Sequence, residues 1–130
     1  MGEMTWLRLM ACTISFGLFI GPARAAEPPA EIKIGTLYAG SGPLASASMP
    51  LHVALEYWAN GINKGGGAYV KGFGKKIPVR LISYDDQSSP QLAGNLTNQL
   101  ITRDKVDILL SDSTSVMTAA AVPVARDHKT

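Results

Sequence analysis

Apolar and polar positions along this chain switch between two periods, and the switches mark its elements. Ile32 to Tyr38, IKIGTLY, is dense in β-branched and aromatic residues and predicts a first strand. From about Pro50 the apolar residues Leu51, Ala54, Leu55, Trp58 and Ile62 recur at helical spacing, and Gly65-Gly66-Gly67 stops the run, which predicts a first helix. Trp58, with Tyr57 beside it, belongs to that stripe and is expected in the core. Ile77 to Tyr84, IPVRLISY, predicts a second strand ending in Asp85-Asp86-Gln87-Ser88-Ser89-Pro90. In that cluster Ser88 or Ser89 is placed to cap a helix whose first position is Pro90, where a missing N–H costs nothing.

The second helix runs through Leu92, Ala93, Leu96, Leu100 and Ile101 to Arg103. Val106 to Leu110, VDILL, is continuously apolar after Asp107, as expected of a third strand covered on both faces. Ser111 to Ser115, SDSTS, forms a loop, and Met117 to Arg126 a third helix. The order β-α-β-α-β-α requires parallel strands with right-handed crossovers. The fold class is therefore α/β: three βα units of a doubly wound parallel sheet, with a ligand crevice at the carboxyl ends of the strands. Neither glycine nor proline closes the third helix, and three strands leave a sheet edge open. The chain reads as an incomplete piece of a larger lobe, marginally stable alone.

Ahead of the first strand lies a different pattern. Leu9 to Gly21, LMACTISFGLFIG, follows Arg8 and precedes Ala23-Arg24-Ala25, the three-part layout of a secretory signal peptide. Its thirteen uncharged residues suit export, whereas a permanent membrane span needs about 20. Residues 1–25 are expected to be removed by cleavage after Ala25 or Ala26, leaving a polar, proline-containing tether over 26–31 and a working segment over 32–130. Leu9-Met10-Ala11-Cys12 has the form of a lipidation box, but mostly apolar residues follow where the run should end. Cys12 is the only cysteine, so the mature chain has no thiol for a disulfide, thiolate catalysis or metal binding.

The mature segment keeps ten Lys/Arg against nine Asp/Glu. That balance gives no electrostatic footprint for nucleic acid. Its densest basic stretch, KGFGKK at Lys71 to Lys76, sits among glycines and reads as a solvated loop.

Three loops converge at the carboxyl edge: Ala39 to Ser48, the stretch from Asp85 to Pro90, and Ser111 to Ser115. Hydroxyls and backbone amides dominate them. Small residues let a ligand approach the main chain, and amides at a helix start stabilise a carboxylate. On composition alone, the hydroxyls of Ser111, Ser113, Thr114 and Ser115 serve equally well as caps of the third helix. Gly40-Ser41-Gly42-Pro43-Leu44-Ala45 fits G-x-G-x-x-A after a strand, the rival reading of a dinucleotide-binding enzyme fragment. Against it, Pro43 lacks an amide, and Asp85 and Asp86 lie more than twice the expected ~20 residues downstream. No Gly-Lys-Ser/Thr makes a P-loop. His52 within a helix and His128 near the chain end have no metal-ligand spacing and read as structural or solvated. Asp85-Asp86 reads as turn chemistry rather than an acid/base pair. Asn95-Leu96-Thr97 is a formal glycosylation sequon, discounted because it falls inside a helix.

Four segments, in order, resemble the periplasmic solute-binding proteins of ABC transporters that include the leucine/isoleucine/valine-binding protein. IKIGTLYAGSGPLA is similar to that family's first strand and S-G-P loop, and ALEYWANGINKGGG to its first helix with the I-N-x-x-G-G ending. VRLISYDDQSSPQLA is similar to its second strand and D-D turn, and DKVDILLSDSTSVMTAAAVPVA to its third strand, Ser-rich loop and P-V-A helix. The resemblance implies the amino-terminal part of the first lobe of a two-lobed binding protein, not an enzyme. Such a protein works in the periplasm, closes on an amino acid or similar small carboxylate or amide, uses no cofactor, and delivers the solute to a membrane permease. An exported sensor domain of the same fold is the alternative.

By the same resemblance, Ser115 holds the solute carboxylate with neighbouring amides, Thr114 is adjacent, and Ser41 and Gly42 contribute at the cleft mouth. Two departures stand out. Many relatives read Gly-Pro where this chain has Ser111-Asp112, and Asp112 is expected to cap the third helix or else to meet a ligand amine. Some relatives tie the second and third loops by a disulfide where this chain has Ser88 and Thr114, so hydrogen bonds must hold the loops.

Overall fold

A computed structural model describes residues 27–129. The expected signal peptide, its cleavage point and Cys12 lie outside the described residues. The elements are β1 Ile32–Tyr38, α1 Ala45–Lys64, β2 Ala68–Val70, a single 3₁₀ turn Lys71–Phe73, β3 Lys75–Ile77, β4 Val79–Asp85, α2 Pro90–Thr102, β5 Ile108–Leu110 and α3 Ser115–Asp127.

β1 lies at the centre of a three-stranded sheet in the order β4-β1-β5. Both pairings are parallel, from Ile32 opposite Val79 to Tyr38 opposite Asp85 on one side and from Ile34 opposite Ile108 to Thr36 opposite Leu110 on the other. The loops after all three strands therefore leave from one edge. The expected α/β class with a parallel sheet stands.

Successive residues of a strand point to opposite faces, and β1 shows which helices cover which. Leu37 packs with Ala93 and Leu100 of α2 and Met117 of α3 in a buried cluster, joined by Ile82, Tyr84, Val106 and Leu109. Leu100 and Met117 are fully buried, and burying each such side chain contributes about 2 kcal/mol. On the opposite face the Tyr38 ring stacks on His52 of α1, with centroids 3.8 Å apart and planes 4° apart.

Four local expectations need correction. α1 begins at Ala45, ahead of Pro50, which sits inside the helix. An interior proline forfeits one backbone hydrogen bond, so the periodic stripe became readable only after it. The stripe itself is not core: Tyr57 is 81% and Trp58 43% exposed, while Ser48 and Ala59 are the buried residues of α1. The KGFGKK stretch is not wholly loop, since β2 and β3 pair antiparallel around it. The third strand is shorter than VDILL, and its face toward α1 is open, with Ile108 46% and Leu110 38% exposed. Asp107 instead clamps the strand entry to β1, its Oδ2 accepting from Lys33 N at 2.8 Å and its amide donating to Lys33 O.

Candidate functional site

The three loops at the carboxyl edge are cross-tied by two aspartates and two serines. Asp85, the last residue of β4, accepts from the Gly40 amide at 2.7 Å and from the Gln87 amide at 2.8 Å through Oδ1. Asp112, buried in the β5–α3 loop, accepts from the Ala39 amide at 3.0 Å and from Ser48 Oγ at 2.5 Å through Oδ2. Its Oδ1 takes the Thr114 amide at 2.6 Å. The β1–α1 loop is thus fastened to both neighbours. Asp112 does not cap the first turn of α3 as expected; it closes a turn on the residue before the helix and spends its other oxygen on the first loop.

Ser88 makes the second tie. Its hydroxyl donates to Ser41 O at 2.7 Å and accepts from Leu44 N at 3.1 Å. Gly42 sits against this serine at φ 79°, and a Cβ there would lie 2.8 Å from Ser88 Oγ and 2.9 Å from Gln87 O. Only glycine fits that turn without strain. Ser41 Oγ reaches Asp85 Oδ2 at 3.5 Å. The Ser88 hydroxyl therefore joins the second loop to the first rather than to Thr114, and the second and third loops are each hydrogen-bonded to the first loop and its helix instead of to one another.

Three helices leave this edge: α1 has no side-chain cap, its Ala45 and Ala47 amides donating to Gly42 O and Leu44 O instead, and the other two begin differently. α2 is closed off: Ser89 accepts from Leu92 N at 3.3 Å, and Pro90 holds the first position. α3 is open. Thr114 occupies its N-cap position in extended conformation, but no side chain caps the helix. The first amides of a helix have no partner within it. The first turn therefore presents amides at Ser115, Val116 and Met117. The serine and threonine hydroxyls, expected to serve either as caps or as ligand groups, do not cap. Thr114 Oγ1 and Ser111 Oγ are buried without a hydrogen-bond partner among the described residues. Met117 anchors this turn in the core while Ser115 and Val116 stay exposed.

The electrostatics are one-sided. Asp85, Asp86 and Asp112 stand in or beneath these loops, and residues 39–44, 86–89 and 111–115 contain no Lys, Arg or His. Asp86 is fully buried. That burial pushes its carboxyl above the ordinary value of 3.8; the Ser88 amide opposes the shift, and the charges of Asp112 and Asp85 add to it. With no cationic side chain in these loops, positive potential comes from the helix starts at this edge, the uncapped first turn of α3 among them.

The expected site residues thus share one edge in two groups. Ser41 and Gly42 lean on the β4–α2 loop, and Thr114 and Ser115 open α3, tied through Asp112 to Ala39. Ser48 was not legible as a site-building residue because the helix carrying it was expected to start after it. Its only sequence signal is a small hydroxyl on the inward side of a helix. The histidines serve structure: His52 Nε2 lies 3.4 Å from Glu56 Oε1 beneath the Tyr38 stack, and His128 Nε2 lies 2.9 Å from Asn98 Oδ1. Among the described residues no cluster of three metal-binding side chains occurs, and no helix is long and apolar enough to cross a membrane.

A family model described as periplasmic binding protein matches residues 31–130. Among solved structures, the chain is similar to the branched-chain amino acid transporter substrate binding protein LivJ from Streptococcus pneumoniae in complex with isoleucine, at 30% identity and TM-score 0.66 over 75% of this chain and 26% of that one. It is similar also to a solute binding protein of an ABC transporter from Rhodopseudomonas palustris in complex with 3,4-dihydroxybenzoic acid, at 26% identity and TM-score 0.63 over 78% of this chain and 26% of that one. A possible leucine/isoleucine/valine-binding protein from Rhodopirellula baltica shares the fold at 19% identity and TM-score 0.64, over 81% of this chain and 28% of that one. The chain spans about a quarter of the length of these structures.

Proposed function

Because this chain belongs to the periplasmic binding protein family, we propose that it is the amino-terminal part of the first lobe of an exported, non-enzymatic solute-binding protein. Residues 1–25 are its signal peptide, residues 26–31 its tether and residues 32–130 the lobe segment. In this reading the full-length protein works in the periplasm, captures an amino acid or similar small carboxylate or amide between two lobes, and delivers it to an ABC transporter permease.

One observation carries the reading: the α3 first turn is uncapped and sits at the meeting point of three cross-tied loops. The Ser115 hydroxyl and the amides that follow hold the carboxylate end of the solute, with Thr114 beside them. Ser41 and Gly42 form part of the cleft mouth. Fixed donors and exclusion of water on lobe closure make these hydrogen bonds effective. Two relatives support a small carboxylate-bearing solute, one solved with isoleucine and one with 3,4-dihydroxybenzoic acid.

Calorimetric titration of the full-length protein with branched-chain amino acids, 3,4-dihydroxybenzoic acid and NAD tests this. Saturable binding of a member of the first two classes, weakened by about 1 kcal/mol or more in Ser115→Ala, is expected. Binding of NAD alone, or equal affinity in the variant, overturns it.

A further inference from the structure

Asp112, one of the departures from the pattern the sequence resembles, is buried in the β5–α3 loop and is met there by three donors. A carboxylate buried without partners is costly, and hydrogen bonds to charged groups are the strong ones. Here the Ala39 amide, the Ser48 hydroxyl and the Thr114 amide all point at one side chain. Ser48 Oγ in turn accepts from the Ala39 amide at 2.9 Å, so Ala39 N–H, Ser48 and Asp112 close a three-membered ring of contacts. Thr118 Oγ1 donates to Asp112 O at 3.1 Å, which anchors the same residue to the second turn of α3.

The consequence is geometric. Ala39 begins the loop that carries Ser41 and Gly42, and Thr114 immediately precedes Ser115. We infer that Asp112 is a positioning residue of the solute site, setting the separation between the β1–α1 loop and the open first turn of α3 through its paired contacts to Ala39, Ser48 and Thr114. It acts from behind the site rather than on the solute, because it is only 3% exposed and its carboxylate is already engaged by three donors inside the lobe. This rests on the solute-binding reading above. Ser48 is part of the same device: without its hydroxyl, Asp112 keeps the two amides but loses the lever on α1.

Asn in place of Asp112 keeps the shape and accepts from one amide, yet turns an NH₂ group toward the other donors. The clamp is then held on one side only. A loosened first turn no longer presents its amides in a fixed direction, and binding depends on such preorganisation.

The experiment compares the full-length wild type with Asp112→Asn and Ser48→Ala, reading solute Kd by calorimetry and Tm without solute. Amide exchange at Ala39 and Thr114 is followed in the same samples. Asp112→Asn is expected to weaken binding by about tenfold and Ser48→Ala by less, with faster exchange at both amides in Asp112→Asn while the protein stays folded at the titration temperature. A lowered Tm with unchanged Kd in both variants assigns Asp112 to stability alone and overturns this proposal, leaving the solute-binding reading intact. A wild type that binds no solute of either class overturns that reading, and this proposal with it.

Discussion

Asn63 takes both main-chain groups of Val79: its Nδ2 donates to Val79 O at 2.7 Å, and its Oδ1 accepts from Val79 N at 2.8 Å. Pro78 gives its carbonyl to Ile32 on the β1 side, and neighbouring residues of a strand alternate the side to which their backbone groups point. At the start of β4 a side chain from the end of α1 therefore stands where another strand would pair. This fastens α1 to the sheet edge and fixes the direction of the strand that ends in Asp85. Asn63→Ala is expected to lower the stability of the full-length protein by about 2 kcal/mol, read by chemical denaturation. An unchanged midpoint would show that water replaces both bonds at no cost.

Gly42→Ala should be worse than its size implies. The added methyl meets Ser88 Oγ and Gln87 O inside contact distance, at a backbone angle that alanine disfavours. A loss of about 1–2 kcal/mol in stability is expected, together with weaker solute binding because the turn carrying Ser41 must shift. Ser88→Ala, which removes the neighbouring hydroxyl, should relieve part of the clash. A double variant no better than the sum of the two singles contradicts the contact.

Asp86 supplies a pH test. Its carboxyl is raised in the folded state, so the folded protein holds that proton more tightly than the unfolded chain. Stability from this group is highest below about pH 4 and falls as pH rises from the ordinary carboxylate value through the raised one. Asp86→Asn keeps an acceptor for the Ser88 amide and removes the ionisation. The variant's stability relative to wild type should therefore grow as pH rises through that window and level off above the raised value. A difference that is constant with pH would mean that folding leaves the proton affinity of Asp86 unchanged.

Much of this architecture was legible from sequence. The periodic runs gave β1, α2 and α3 within a few residues, and the Ser89-Pro90 start of α2 was readable because capping is local chemistry. What failed depended on tertiary neighbours. Tyr57 and Trp58 fit a helical stripe, but both stay exposed, and Ser48 and Ala59 are the residues α1 buries. The short hairpin around Lys71–Phe73 has too few residues for a period to show. At the site, the hydroxyl-rich loops were visible as candidates, yet composition cannot distinguish a hydroxyl that caps from one that does not. The structure distinguishes Ser89, which caps α2, from Thr114, which leaves α3 open. The Ser48–Asp112 contact joins residues 64 positions apart and has no local signature.

The most direct measurement is a crystal structure of the full-length protein with a bound amino acid or small carboxylate. A carboxylate oxygen of the solute is expected within about 3 Å of the Ser115 hydroxyl and the α3 first-turn amides. A solute bound elsewhere, with water or a side chain filling that turn, would contradict it.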